Sequence, residues 1–229
     1  MFEFNLEGLE LSDQKILAAL NFKLNPGETH CLLGPSGSGK TSLLNVMAGL
    51  KQDNTVTSTK GESKHQHHNQ WLPRKPDIGY LFQQPRLLPW RTILQNLQLV
   101  EPDKETVLRM LGEVRLQDYA DYYPAKISLG MARRVALARC LLLKPELVLM
   151  DEPLTSLDPP TAREMRRLIK RLVCDHPTRS MIYVTHNLEE ALELGDTVSV
   201  LGNTPAEVIY SNSIDNVSRE ELETLLKHS

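Results

Sequence analysis

Apolar and polar positions alternate at period two in Phe2-Glu3-Phe4-Asn5-Leu6 and again from Ala19 to Leu24, which predicts two half-buried strands near the start of the chain. Asn25-Pro26-Gly27 then reads as a turn. Thr29-His30-Cys31-Leu32-Leu33, Ile78-Gly79-Tyr80-Leu81-Phe82, Leu147-Val148-Leu149-Met150 and Ser180 to Thr185 are short, largely apolar runs that predict buried strands. Thr197 to Leu201 predicts the closing strand. Apolar residues recur at helical spacing in Thr41–Ala48, Thr92–Val100, Lys104–Leu116, Met131–Leu143 and Leu188–Leu194. Ala162 to Val173 predicts a basic amphipathic helix, whose Arg/Lys run fits a solvated face better than a nucleic-acid patch. Strands alternating with helices imply an α/β core with a largely parallel sheet, and residues about 84–145 form a mostly helical insertion. The whole chain, 1–229, is expected to be a single domain carrying that helical subdomain. Lys51 to Asn69 is nearly devoid of apolar residues and reads as a solvated loop or a weak hairpin.

Charge and composition narrow the class of partner. The 229 residues are long enough for a proper core, and a formal net charge of −3 gives no reason to expect nucleic acid held by bulk charge. Cys31, Cys140 and Cys174 lie far apart beside apolar residues, so buried free thiols in a reducing compartment are expected. No run approaches the roughly 18 apolar residues of a membrane span, and the N-terminus lacks a basic region followed by an apolar run. The expected location is cytoplasmic, with attachment to a membrane through another subunit. His65, His67 and His68 read as a surface His-rich loop rather than a metal site, because no acidic or Cys partner has clear spacing.

The chemistry is carried by two segments. Gly34-Pro35-Ser36-Gly37-Ser38-Gly39-Lys40-Thr41 fits G-x-x-x-x-G-K-[ST], with a predicted strand before it and a predicted helix after it. Glycines let successive backbone N–H groups turn inward as an anion nest, Lys40 adds a positive charge for the β- and γ-phosphates, and the Thr41 hydroxyl suits Mg²⁺. The second segment is Met150-Asp151-Glu152, at the end of a buried strand, where α/β sheets place ligand-binding groups. Asp151 suits Mg²⁺ and Glu152 suits polarisation of an attacking water.

With these residues in order, the chain resembles the ATP-binding cassette subunit of an ABC transporter over nearly its whole length. The resemblance implies a P-loop NTPase (RecA-like) core with a parallel sheet, an antiparallel β subdomain and a helical subdomain, using ATP and Mg²⁺. It implies that Gly34, Pro35, Ser36, Gly37, Ser38, Gly39, Lys40 and Thr41 bind the nucleotide. Gln83 matches the glutamine loop, which reaches the metal and the water. Ser156-Leu157-Asp158-Pro159 matches the loop crossing to a second subunit, and His186 matches the switch histidine at the γ-phosphate. Glu152, His186 and Gln83 are the implied catalytic residues, and Thr41, Gln83 and Asp151 the implied metal ligands.

The family's Leu-Ser-Gly-Gly-Gln segment reads Ile127-Ser128-Leu129-Gly130-Met131 here. Ser128 and Gly130 are implied to touch the γ-phosphate held by the opposite subunit. Leu129 replaces a glycine and Met131 a glutamine; a leucine cannot take φ > 0 without strain, which would alter the local geometry, but the change reads as a tolerated variant. No aromatic occurs from Leu6 to Leu20 to stack on adenine, leaving Leu11 or Ile16 to pack there. A site completed in trans implies a head-to-tail homodimer, or a paired cassette subunit. The run Pro85-Arg86-Leu87-Leu88-Pro89-Trp90 is expected to form an exposed groove for a coupling helix of an integral-membrane permease.

Phe82 to Trp90 resembles ATPases of the nitrate, sulfonate and taurine importer group, while Gly130 to Arg134 resembles cassettes of lipid-trafficking systems. The importer is preferred, with a solute-binding protein as an indirect partner, peripheral on the inner face of the cell membrane. The chain ends soon after the last predicted strand, leaving no room for a large regulatory domain. A soluble cassette protein of DNA repair or translation would carry tandem cassettes or long coiled coils, and neither is present. A P-loop kinase has no reason to contain Ser128-Leu129-Gly130 and Ser156-Leu157-Asp158 in this order.

Overall fold

The computed structural model describes residues 1–11, 14–50 and 70–228. In chain order the elements are β1 (Phe2–Leu6), β2 (Leu9–Leu11), β3 (Gln14–Leu17), β4 (Leu20–Leu24), β5 (Thr29–Leu33), α1 (Lys40–Ala48), β6 (Gln70–Leu72), β7 (Ile78–Leu81), α2 (Ile93–Leu97), α3 (Lys104–Glu113), α4 (Leu129–Leu142), β8 (Leu147–Asp151), α5 (Pro159–Ile169), β9 (Ser180–Thr185), α6 (Leu188–Leu194), β10 (Thr197–Gly202), β11 (Glu207–Ser213) and α7 (Arg219–His228). The chain divides into two compact units, residues 1–76 with 183–229, and residues 77–182.

In the first unit β1 pairs antiparallel with both β4 and β6, the predicted alternation of Phe2–Leu6 placing Phe4 and Leu6 inside. Trp71 on β6 packs its ring on Phe4 at 4.9 Å and donates its indole N–H to the Met47 carbonyl at 3.0 Å, joining this ribbon to α1. β5 is buried along its whole length and runs parallel to β10, in register from Thr197 opposite His30 to Val200 opposite Leu33. Such two-sided burial is why the strand reads as a continuous apolar run rather than an alternation. The predicted closing strand is not the last element: β11 pairs antiparallel with β10, and α7 follows with Leu222 fully buried.

In the second unit β7 and β8 are parallel, with Leu81 opposite Met150. The predicted helical insertion is present as α2, α3 and α4, although α2 and α3 are shorter than the periodicity suggested. Ile93, Leu97, Val107, Leu111, Val135 and Leu142 form its core, each buried side chain contributing about 1.5–3 kcal/mol of transfer free energy. The predicted amphipathic helix ends as α at Ile169 and continues as a π-helical turn from Lys170 to Cys174. None of the three cysteines forms a disulfide; Cys31 and Cys140 are buried, and Cys174 is half-buried on that turn. Burial pushes the Cys140 thiol up to about 12 and so keeps it unreactive. The polar stretch with His65, His67 and His68 lies outside the described residues.

Candidate active site

The phosphate loop joins β5 to α1, as the pattern requires. Gly37 and Gly39 take φ of +86° and +84°, which turns the loop into the start of α1 and which residues with a Cβ adopt only at a cost. A Cβ on Gly39 would also meet the Leu17 side chain at 2.9 Å and that of Ile16 at 3.1 Å. Ile16, one of the two residues expected to replace the missing adenine-stacking aromatic, is therefore packed directly on the loop; the other, Leu11, has a side chain outside the described residues. Lys40 is the first residue of α1 and is only 4% exposed. Its ammonium donates to the carbonyls of Gly34 at 2.9 Å and Pro35 at 2.7 Å, so the charge is held against the loop it is expected to serve. Thr41 follows on the exposed side of the same turn. The N–H groups and positive dipole end of this nine-residue helix face the loop, a ready anion site.

Also in the first unit, His186 stands exposed just past β9. Its placement comes from Glu190, a buried carboxylate that accepts from Tyr183 Oη at 2.9 Å and from Thr185 Oγ1 at 2.7 Å. The Asn187 N–H donates to Thr185 Oγ1 at 3.0 Å, closing the turn around His186. Nothing in the sequence pattern singled out Glu190; a buried acid one turn into a helix is recognisable only from its partners.

The second unit carries the other candidate residues. Because Leu81 stands opposite Met150 in a parallel pair, Gln83 and Glu152 leave the same end of adjacent strands. Asp151 is buried at that end, and Gln83 is exposed. Tyr80, on β7, stacks its neighbour Phe82 at 4.0 Å between ring centroids, and Arg86 covers the other ring with its guanidinium 3.8 Å away. Burial and the Asp151 carboxylate push the Tyr80 phenol up, so it stays protonated beside that acid.

Glu152 has φ +43° and Ser156 φ +66°, a conformation that costs a residue with a Cβ of order 1–3 kcal/mol. The strain turns the chain sharply off β8 and exposes part of the Glu152 side chain. Thr155 donates its hydroxyl to Glu152 Oε2 at 3.1 Å and fixes the carboxylate's orientation. Asp158 is the N-cap of α5, accepting from the Thr161 N–H at 3.0 Å; the Thr161 hydroxyl first, and this N–H with it, hold its carboxyl below the usual range.

Ser128 is the N-cap of α4, its hydroxyl accepting from the Met131 N–H at 3.2 Å. Leu129 is the first helical residue, without positive φ, and is 44% exposed, so the backbone strain that a leucine would suffer at φ > 0 does not arise here. The glycine that the fold needs is Gly130. A Cβ there would lie 2.4 Å from Thr161 Cγ2, because α4 and α5 touch at their first turns.

Two arginines of α4 were missed by sequence reasoning. Arg133, almost fully buried, donates to the Pro153 carbonyl at 2.6 Å, and Arg139 donates to the carbonyls of Pro85 at 2.9 Å and Arg86 at 3.0 Å. One helix thus braces both the turn after Glu152 and the turn after Gln83. Asn96 was missed as well. It is 0% exposed, accepts from the Leu88 N–H and donates to the carbonyls of Leu88, Arg91 and Thr92, anchoring the segment that presents Trp90 at 70% exposure.

Known proteins resemble this chain in sequence and fold. A family model described as ABC transporter matches residues 17–155. The aliphatic sulfonates import ATP-binding protein SsuB 1 of Pseudomonas syringae pv. syringae is 34% identical over 92% of this chain and 84% of its own length. The SsuB of Granulibacter bethesdensis is 41% identical over 81% of this chain and 73% of its own. Among solved structures, a dimeric ATP-binding cassette in a post-hydrolysis state with ADP and Pi aligns with a TM-score of 0.73 at 24% identity, covering 93% of this chain and 99% of that one. The cbiO1 cassette of Clostridium perfringens, part of the complex cbiONQ, aligns with a TM-score of 0.76 at 22% identity, covering 98% of this chain and 94% of that one. These two show the P-loop NTPase fold, with its mostly parallel sheet and antiparallel strand subdomain. The chain belongs to the ABC transporter family, as an ATP-binding subunit that hydrolyses ATP.

Proposed function

We propose that this chain powers import of small anionic compounds through an integral-membrane permease, working as a head-to-tail pair of cassettes that closes on two Mg·ATP. The observation that carries the reading is the exit of Gln83 and Glu152 from the same end of β7 and β8, with Asp151 buried between strand and turn. By resemblance to the family, Glu152 polarises the attacking water, while Gln83 and His186 position the water and the γ-phosphate. Gly34 to Thr41 hold the triphosphate. Thr41, Asp151 and Gln83 are the groups suited to Mg²⁺, whose charge offsets that developing on the phosphoryl oxygens. Ser128 and Gly130 at the tip of α4, with Asp158 at the tip of α5, meet the nucleotide of the second cassette. All of 1–229 acts as one ATPase domain.

The import direction rests on the SsuB relatives, which are import proteins, and their names make aliphatic sulfonates the first substrates to try. The dimeric post-hydrolysis cassette among the fold neighbours supports pairing. No helix among the described residues is long and apolar enough to cross a membrane, so attachment to the inner face of the membrane falls to docking on the permease, with Trp90 and its anchored loop as the contact. A solute-binding protein would act on the far side of the permease, without touching this chain.

The test is assembly with the cognate permease in vesicles. Sulfonate-stimulated ATP hydrolysis and uptake are expected, and Glu152→Gln is expected to bind ATP without turnover and to elute as a dimer in gel filtration with ATP. Full activity in Glu152→Gln would end the role assigned to Glu152, and uptake of no sulfonate would end the substrate assignment.

A further inference from the structure

Away from the candidate active site, the second unit holds a cavity of about 170 Å³ walled by Arg115, Arg134, Glu164, Arg167, Leu168 and Arg171. Glu164, Arg167, Leu168 and Arg171 recur at i, i+3, i+4 and i+7 along α5 and its π-helical extension, so they share one face. Arg134 comes from α4 opposite, and Arg115 from the turn after α3. Arg115 has φ +59°, a backbone conformation unusual for arginine, at the turn that brings it to the cavity wall.

The charges do not balance. Arg134 pairs with Glu164, and Arg171 pairs with Glu113 at 2.5 Å while also donating to the Glu113 carbonyl at 2.6 Å. Four guanidinium groups therefore face two carboxylates. Among the described residues the side chains of Arg115 and Arg167 have no ion pair or hydrogen bond, and the Arg134 Nε is buried without an acceptor. Gathering four like charges around a partly enclosed space raises the local potential, which the Glu164 and Glu113 carboxylates and the water reaching the exposed Arg115, Arg167 and Arg171 offset only in part. The guanidinium groups of Arg115 and Arg167 are the forks left to donate paired N–H bonds to the oxygens of a tetrahedral anion, with the charges of Arg134 and Arg171 beside them. The compact walls, with Leu168 buried on one side, suit a small ion rather than a polymer.

We infer that this cavity binds a multivalent oxyanion of the phosphate or sulfate class. Its occupant would join α4, α5 and the α3 turn. Since α4 and α5 start at Ser128 and Asp158 and touch at Gly130 and Thr161, an anion clamped further along both helices sets how firmly their tips are held together. The site is independent of the import reading above and stands or falls on anion binding alone.

The experiment uses the full chain carrying Lys40→Ala, which weakens anion binding at the phosphate loop, so that what the arginine substitutions below remove reports on the cavity. Calorimetry and thermal unfolding follow titration with sodium phosphate and, separately, sodium sulfate, at an ionic strength held constant with chloride. A saturating heat and a saturating rise in Tm are expected with one or both, the two arms separating phosphate from sulfate. Arg115→Gln combined with Arg167→Gln is expected to weaken that binding about tenfold or more, as loss of two charge-assisted donors requires. Arg167→Gln alone should weaken it in the same direction, and serves if the double variant does not fold. A response no different from that of chloride, or saturable binding of undiminished strength in the folded variants, would overturn the inference.

Discussion

Arg139 of α4 holds the backbone of Pro85, two residues beyond Gln83, through a hydrogen bond of 2.9 Å to its carbonyl oxygen. A side chain from the helix that begins at Ser128 thus anchors the segment expected to meet the permease. Nucleotide at one end of α4 and a partner at the other would be linked through a single rigid element, which is the physical requirement for coupling two sites.

Arg139→Met tests that link. The variant keeps the apolar stem but removes donors to two carbonyls, and a hydrogen bond from a charged group is worth about 1.5–3 kcal/mol. A loss of about 2 kcal/mol in urea denaturation is expected. ATP affinity by calorimetry should stay within error while permease-stimulated hydrolysis falls. Unaltered stimulation would detach Arg139 from coupling.

Lys40→Ala is expected to abolish measurable ATP binding in calorimetry. The ammonium sits at the N-terminus of α1 with the loop's own carbonyls as neighbours, and no other cation of the loop, Gly34 to Thr41, can take its place. Unchanged affinity would contradict the phosphate-loop assignment.

Leu129 and Gly130 should respond in opposite ways to small changes. Gly130→Ala places a methyl group 2.4 Å from Thr161 Cγ2, and overpacking of this kind costs about 1–3 kcal/mol. Leu129→Gly, at an exposed helical position, should cost no more than about 1 kcal/mol and leave ATP hydrolysis near that of the parent. A severe loss in Leu129→Gly, or none in Gly130→Ala, would reverse the roles given to them; melting curves and steady-state ATPase assays decide.

His30 supplies a pH dependence. The ring is buried against Phe22, shares a hydrogen bond of 2.8 Å with Ser199 Oγ, and is pushed down from 6.5 to about 4 by burial, the nearby Glu28 offsetting this in part. The folded state thus holds His30 neutral while the unfolded chain takes up a proton below 6.5, so stability falls as pH drops from 6.5 towards 4. The loss from this group is about 2 kcal/mol by about pH 5 and about 3 kcal/mol in full. His30→Gln should be less stable than the parent at neutral pH, with the gap narrowing on acidification in urea titrations. A constant gap would mean that His30 titrates normally.

How much could be read without coordinates follows from how each feature is encoded. The phosphate loop, Asp151, Glu152 and the apolar strands were legible because residue type and spacing carry them directly. β6 was not, since Gln70-Trp71-Leu72 lies at the edge of a polar stretch and pairs with a strand about 65 residues earlier. α7 was not either, although Leu222, Leu225 and Leu226 recur at i, i+3 and i+4: half of its ten residues are charged, and only Leu222 among them is fully buried. Arg133, Arg139, Asn96 and Glu190 act on backbone carbonyls or hydroxyls, and such partners have no residue-type signature. At the segment's third position, Leu129, residue type alone does not tell whether a glycine's backbone is needed; the close approach of α5 puts the demand for a missing Cβ on the fourth, Gly130.

Asn96 has a last consequence. By tying down four backbone groups it makes the stretch from Leu88 to Thr92 stiff before anything touches it. Under the proposed docking, a perch already immobile would surrender little freedom on contact, so the affinity for a transmembrane subunit would be set largely by the indole of Trp90, and exchanging that side chain would be a short route to a cassette that serves a different channel.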